Sequence, residues 1–172
     1  MTHDNELILI NISGQDKPGV TAALTSILAR YNAMVLDIGQ ADIHHTLSLG
    51  ILFKTTPADS GDIMKDLLFK AYDMGVKIRF TPVSTEEYEQ WVGRQGKNRW
   101  IITILGRQLT ASNIALVSEV IVEQGLNIEA IQRLTGRQPL VEGSFPATKA
   151  CIEFSVRGTP VNRSEMQSRF IE

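Results

Sequence analysis

The chain has 172 residues, 43% of them hydrophobic and 21% charged, which is the balance of a folded chain and not of a disordered one. Its 17 Lys and Arg face 19 Asp and Glu, a net charge of −2, so it has no basic field for gripping nucleic acid and no polybasic patch for a membrane surface. A single cysteine, Cys151, excludes an internal disulfide and a multi-cysteine zinc site, and no apolar run approaches the ~20 residues of a membrane span.

The chain opens on the polar run Met1–Glu6, which is no secretion signal, and a cytoplasmic location is expected. Glu6 to Ser13 is rich in Ile and Leu and reads as a buried strand ending at Gly14. Pro18 is placed for a first helical turn, where its missing N–H costs nothing. Val20, Ala23, Leu24, Ile27, Leu28 and Tyr31 then form one helical face, and Asn32 stops it. Met34, Leu36 and Ile38 alternate with Val35, Asp37 and Gly39, which is strand periodicity, and a further strand runs from Leu47 to Lys54. Pro57–Gly61 reads as a loop, followed by a helical stripe from Ile63 to Met74 with Gly75 as its cap. Val76 to Phe80 makes a last strand closed by Pro82.

Strand, helix, strand, strand, helix, strand is the split βαββαβ, or ferredoxin-like, order. Residues 82–97 read as a polar linker in which Thr85 to Trp91 can form a helical turn, and the pattern then restarts. Arg99 to Leu105 is a strand, Ser112 caps a helix reaching Gln124, and Cys151 to Val156 is another strand. A second helix opens at Thr159-Pro160, and the chain reaches Glu172 without a fourth strand. An ungapped offset of 92 places Ile8–Gln40 on Trp100–Gln132 with seven identities in 33 positions, including Gly14/Gly106, Leu24/Leu116 and Gln40/Gln132. The expected fold is therefore α+β, with a first domain at 1–81, a linker at 82–97 and a second, incomplete domain at 98–172. The unpaired sheet edge left by the missing strand calls for cover, and a homodimer is expected. Leu140 and Phe145, in the long loop of the second copy, are candidates for contacts with another chain or domain.

The run Ile12-Ser13-Gly14-Gln15-Asp16-Lys17-Pro18-Gly19-Val20 resembles the Asp-x-Pro-Gly-Val signature of ACT domains. That family shares this element order and binds small effectors, mostly free amino acids, at the turn between first strand and first helix. Ser13 to Thr21 together with Leu36–Ala41 is similar to the amino-terminal regulatory region of long phosphoserine phosphatases, in which two ACT domains precede a haloacid-dehalogenase-type catalytic domain. That hydrolase class carries an Asp-x-Asp-x-Thr/Val motif, which does not occur in this chain, so phosphatase activity is not carried over to it. The resemblance implies no cofactor here, with Mg2+ expected only in a catalytic domain. It implies as partners a small amino acid and the chain's own catalytic domain.

The chemistry of the bend fits a zwitterion. A helix start offers unpaired N–H groups to a carboxylate. Gly14 and Gly19 let a ligand approach the backbone, and Pro18 restricts the turn. Asp16 or Asp37 can take the ammonium, and Asn11 and Gln40 can read a hydroxyl. The candidate site is thus Asn11, Gly14, Gln15, Asp16, Lys17, Pro18, Gly19, Val20, Asp37 and Gln40. The plainer reading of Asp16 is a helix cap. The second copy has Gln108, Thr110 and Ala111 where the first has Asp16, Pro18 and Gly19, and is expected to bind poorly. His44 and His45, adjacent in a strand or its turn, are a poor chelating pair, and Cys151 reads as a buried, inert thiol. The expected function is an amino-acid sensor, with L-serine as effector, controlling an attached phosphoserine phosphatase. The alternatives are a ligand-free dimerisation module and an ACT-pair regulator of the glycine-cleavage type.

Overall fold

The computed structural model describes residues 5–95, 98–136 and 149–170. The chain divides into two compact units, Met1–Trp91 and Val92–Glu172. Leu140 and Phe145 lie outside the described residues.

The first unit begins with β1 (Glu6–Gln15), α1 (Val20–Arg30), β2 (Met34–Ile43) and β3 (Thr46–Thr55). It continues with α2 (Pro57–Met74), β4 (Lys77–Val83) and the start of α3 (Thr85–Gln95). Its four strands form one antiparallel sheet in the order β2-β3-β1-β4. Alternation sends Ile8, Ile10 and Ile12 of β1 and Leu47, Leu49, Ile51 and Phe53 of β3 to one face, where all are buried. Val20, Leu24, Ile27 and Leu28 of α1 and Ile63, Leu67 and Ala71 of α2 cover that face and complete the core. The other face carries Asn11, Ser13, Gly39, Gly50 and Arg79, consistent with an antiparallel sheet that shows one side to water.

Several local expectations are corrected by the physics of the ends. Pro57–Gly61 is the first turn of α2 and not a loop. Thr56 is the N-cap, its hydroxyl accepting from the Asp59 amide at 3.2 Å, and Pro57 takes the first helical position. Pro82 lies inside β4, opposite Ile8, which an edge strand permits because its N–H need not join the ladder. Residues 85–95 are helical, started by a capping box in which Ser84 accepts from the Glu87 amide and Glu87 from the Ser84 amide.

The second unit holds β5 (Arg99–Gly106), α4 (Ala111–Glu123), β6 (Asn127–Arg133), β7 (Ala150–Arg157) and α5 (Arg163–Arg169). Its sheet has three strands in the order β5-β7-β6 among the described residues. Ile102, Ile152, Phe154, Val156, Val120, Ile121 and Met166 form its core. α4 is capped by Thr110 and not Ser112, and α5 starts after its cap Asn162, three residues later than the Thr159-Pro160 pair implies. Cys151 is half-buried, on the face of β7 opposite the one that lines the core.

The two units repeat each other, although the 92-residue offset holds only as far as Gly106. The buried triple Leu24, Ile27 and Leu28 of α1 is matched in α4 by Val117, Val120 and Ile121, an offset of 93. Leu116, identical to Leu24 at the lower offset, is 58% exposed where Leu24 is fully buried. One extra residue has entered between Gly106 and the body of α4.

Candidate functional site

The bend between β1 and α1 is built by its own residues. Lys17-Pro18-Gly19-Val20 is a four-residue turn closed by the Val20 amide donating to the Lys17 carbonyl at 3.4 Å, with Gly19 at φ 92 and ψ −2. Proline at the second position and a positive-φ glycine at the third define a type II turn. Pro18 therefore shapes the approach to the helix and is not its first residue. The helix proper starts when Ala23 donates to the Gly19 carbonyl at 2.9 Å.

Asp16 is not the helix cap: the N-cap is Gly19, and no side chain among the described residues caps α1. The Asp16 amide instead donates to the His45 carbonyl at 2.8 Å, extending the β1–β3 ladder by one bond. Its exposed carboxylate has no hydrogen bond or ion pair among the described residues. The Thr21 and Ala22 amides, in the first turn of α1, likewise have no acceptor among the described residues. The second unit differs here. The Thr110 hydroxyl accepts from the Asn113 amide at 3.2 Å, and Asn113 Oδ1 accepts from the Thr110 amide at 3.0 Å, a closed capping box.

The ten candidate residues do not all converge. Gln40 lies on the helix-covered face, where its Oε1 accepts from the Thr21 hydroxyl at 2.6 Å, so it does reach the start of α1. Asp37 and Asn11 lie on the opposite, open face, and Asp37 accepts from the Ile38 amide at 3.0 Å. Asp37 and Gln40 are three positions apart in an uninterrupted stretch of β2, so alternation alone sends them to opposite faces. Gln15 shares the open face, paired with Thr46. Val20 is a core residue. Lys17 donates to the Met74 carbonyl at 3.3 Å, closing the end of α2. The two glycines differ as well. A side chain at Gly14 would meet Val76 Cγ1 at 3.2 Å, whereas Gly19 has nothing within 4 Å. The open part of the bend is Asp16, Pro18 and Gly19, with Thr21 and Gln40 behind it.

Sequence reasoning missed Thr21 and the tip of the β2–β3 hairpin. His44 and His45 both have positive φ, 52 and 60, and form the two-residue loop between the paired Ile43 and Thr46. That is the backbone of a type I′ turn, normally occupied by Asn-Gly. The only sequence signal was the short spacing between two strand patterns. Among the described residues no group of three His, Cys, Asp or Glu side chains is gathered as a metal would need. A groove of about 440 Å3 between α1 and α2, lined by Arg30, Asp66, Phe69 and Lys70, contains none of the ten candidates. Beside it the Tyr31 hydroxyl donates to Asp66 at 2.8 Å, and this bond to a carboxylate holds the tyrosine's pKa above its usual range.

This combination of a βαββαβ unit and a Pro-Gly bend is that of an ACT domain, and residues 6–81 match the model of the ACT domain family. The first unit belongs to that family, and the second repeats its βαββ part as an ACT-type unit. Among characterised proteins, the chain is 30% identical over 158 residues to phosphoserine phosphatase of Streptomyces coelicolor, covering 91% of this chain and 35% of that one. It is 28% identical over 131 residues to phosphoserine phosphatase SerB2 of Mycobacterium tuberculosis, covering 74% of this chain and 31% of that one. The chain thus spans about a third of the length of these relatives. The crystal structure of an unknown protein from Galdieria sulphuraria shares the fold with a TM-score of 0.71 at 15% identity, covering 98% of this chain and 91% of that one. No helix among the described residues is long and apolar enough to cross a membrane.

Proposed function

We propose that this chain is the amino-acid-sensing regulatory region of a phosphoserine phosphatase, and that a small amino acid, L-serine first, binds at the β1–α1 bend of a homodimer. The observation that carries the reading is the contrast between the two helix starts. In α1 the Thr21 and Ala22 amides have no acceptor among the described residues and stand beside an exposed glycine, while in α4 a capping box engages the Asn113 amide with the Thr110 hydroxyl and the Thr110 amide with Asn113. The amides and the N-terminal end of the α1 dipole suit a carboxylate, and the unpartnered Asp16 suits an ammonium. Gln40, anchored on Thr21, stands where a side-chain hydroxyl could be read. Relatives that carry phosphoserine phosphatase activity in their names supply the choice of serine, the product such an enzyme releases.

A serine-sized ligand has few atoms, so a dissociation constant from micromolar to millimolar, roughly −8 to −4 kcal/mol, is the range to search. At ten times that constant it stabilises its preferred state by about 1.4 kcal/mol, enough to tilt a balanced equilibrium. Titration calorimetry of the chain with L-serine, glycine and larger amino acids tests the proposal. Saturable heat with a small amino acid is expected, and neither heat nor a melting shift at millimolar concentrations refutes it. A ligand-free interaction module is the second reading. It is favoured by the use of Gly14, Lys17 and Val20 in packing and anchoring, and it predicts no heat with any amino acid.

A further inference from the structure

The first unit has a further concavity, at the end of β1 away from the bend. It holds about 350 Å3 between the start of β1, the end of β4, α2 and the first residues of α3. The strand register explains its lining. Ile8 stands opposite Pro82 and Ile10 opposite Phe80, so these side chains share the helix-covered face, and Met64 of α2 lines the other wall. Met64 and Phe80 pack against the core but stay half-buried, leaving apolar surface uncovered. Alternation puts Glu6 on the same face as Ile8, at the rim. Its carboxylate is the one charged group in the lining among the described residues, and it has no hydrogen bond or ion pair there. The start of α3 is closed by its capping box and carries Glu86 as well as Glu87, so it repels an anion.

The corresponding end of the second sheet shows what chemistry such a place can hold. Trp100 takes the position of Ile8 at the 92-residue offset, its indole N–H donates to the Gly158 carbonyl at 3.0 Å, and the Arg163 guanidinium lies 5.0 Å over its ring. There the chain itself supplies a cation on an apolar floor. The first unit has the smaller Ile8, an open apolar floor and a carboxylate, with no cation in the lining among the described residues. We propose that this pocket binds a small organic ammonium with an apolar body, the cation at Glu6 and the body against Ile8, Met64 and Phe80. Apolar walls with a single charged group at the rim are the usual make-up of a small-molecule site, and the volume falls at the low end of the ~300–1,000 Å3 such sites span. That size suits an arylalkylamine and not a nucleotide.

The proposal stands apart from the amino-acid reading, because the bend lies at the opposite end of β1 and the probe carries no carboxylate. Nuclear magnetic resonance of the 172-residue chain, titrated with phenethylamine and separately with phenethyl alcohol, tests it. Saturable shifts are expected at the Met64 methyl and the Phe80 ring, with a dissociation constant on the order of a millimolar. Glu6 is exposed, so its charge is expected to favour the amine over the alcohol by about five-fold. Glu6→Gln is expected to remove that preference while leaving alcohol binding unchanged. Met64→Trp fills the space and is expected to weaken both probes by about ten-fold or more. Should that variant not fold, the Glu6→Gln comparison, made at an exposed position, still decides. No saturable shift at about 20 mM probe, shifts confined to the Thr21 and Ala22 amides, equal binding of amine and alcohol, or an amine preference that survives Glu6→Gln overturns the proposal.

Discussion

Gly14 and Gly19 flank the same bend but are constrained for different reasons, and alanine at each separates them. Gly19 sits at φ 92 with nothing within 4 Å of the position a Cβ would take. Gly19→Ala therefore costs only the left-handed backbone penalty, about 1–2 kcal/mol. Gly14, at φ 155, faces Val76, whose Cγ1 lies 3.2 Å and Cα 3.3 Å from that position. Val76 is in the core, so its backbone has little room to give, and overpacking adds about 1–3 kcal/mol to the conformational cost. Gly14→Ala is thus expected to be the more damaging by about 1 kcal/mol or more. Gly19→Asn is expected to cost less than Gly19→Ala, because asparagine tolerates the left-handed region. Urea unfolding followed by circular dichroism measures all three, with unchanged slopes and shifted midpoints. The reasoning fails if Gly19→Ala is neutral, or if it exceeds Gly14→Ala.

Three other outcomes follow from positions described above. Thr55 is 5% exposed and its hydroxyl has no hydrogen-bond partner among the described residues, so Thr55→Val, which replaces it by a methyl, is expected to stabilise by about 1 kcal/mol in the same urea assay. Replacing His44 by Asn and His45 by Gly relieves two positive-φ positions and is expected to raise the midpoint by about 1 kcal/mol equivalent, with the fold unchanged by circular dichroism. The Tyr31 hydroxyl keeps its proton to higher pH when folded, through its bond to Asp66, than when unfolded. Its contribution is therefore fully present below the unfolded value and is lost as pH rises through the folded one. Alkaline stability profiles of the wild type are expected to fall more steeply above about pH 10 than those of Tyr31→Phe.

The element order was legible in the sequence because both periodicities are strong: Ile8, Ile10 and Ile12 alternate, and Val20, Leu24, Ile27 and Leu28 recur at helical spacing. What was not legible depends on single-residue slips. The identity of Gln40 and Gln132 pairs residues on opposite faces, since Gln132 lies with Glu153, which it contacts at 3.1 Å, and Gln40 with Thr21. One inserted residue leaves composition and periodicity intact while turning every side chain after it. Asp37 failed to join the bend for a simpler reason, since it alternates with Ile38 and Gln40 and so faces away from the helices. At the bend itself, Asp-x-Pro-Gly pointed to a turn before a helix, and the type II geometry is what proline followed by glycine allows. The anchoring of Lys17 on Met74 was invisible, because it links residues 57 apart in sequence.

That anchor and the Asp16 amide bond to His45 hold the bend from two sides, to the end of α2 and to the hairpin tip. A strand of backbone pinned at both shoulders has few alternative shapes. A visiting molecule would find its niche already formed and would leave the chain trace where it was. Information could then leave the bend only as new surface, the visitor's own atoms presented to whatever touches that rim, and not as a movement transmitted through the sheet.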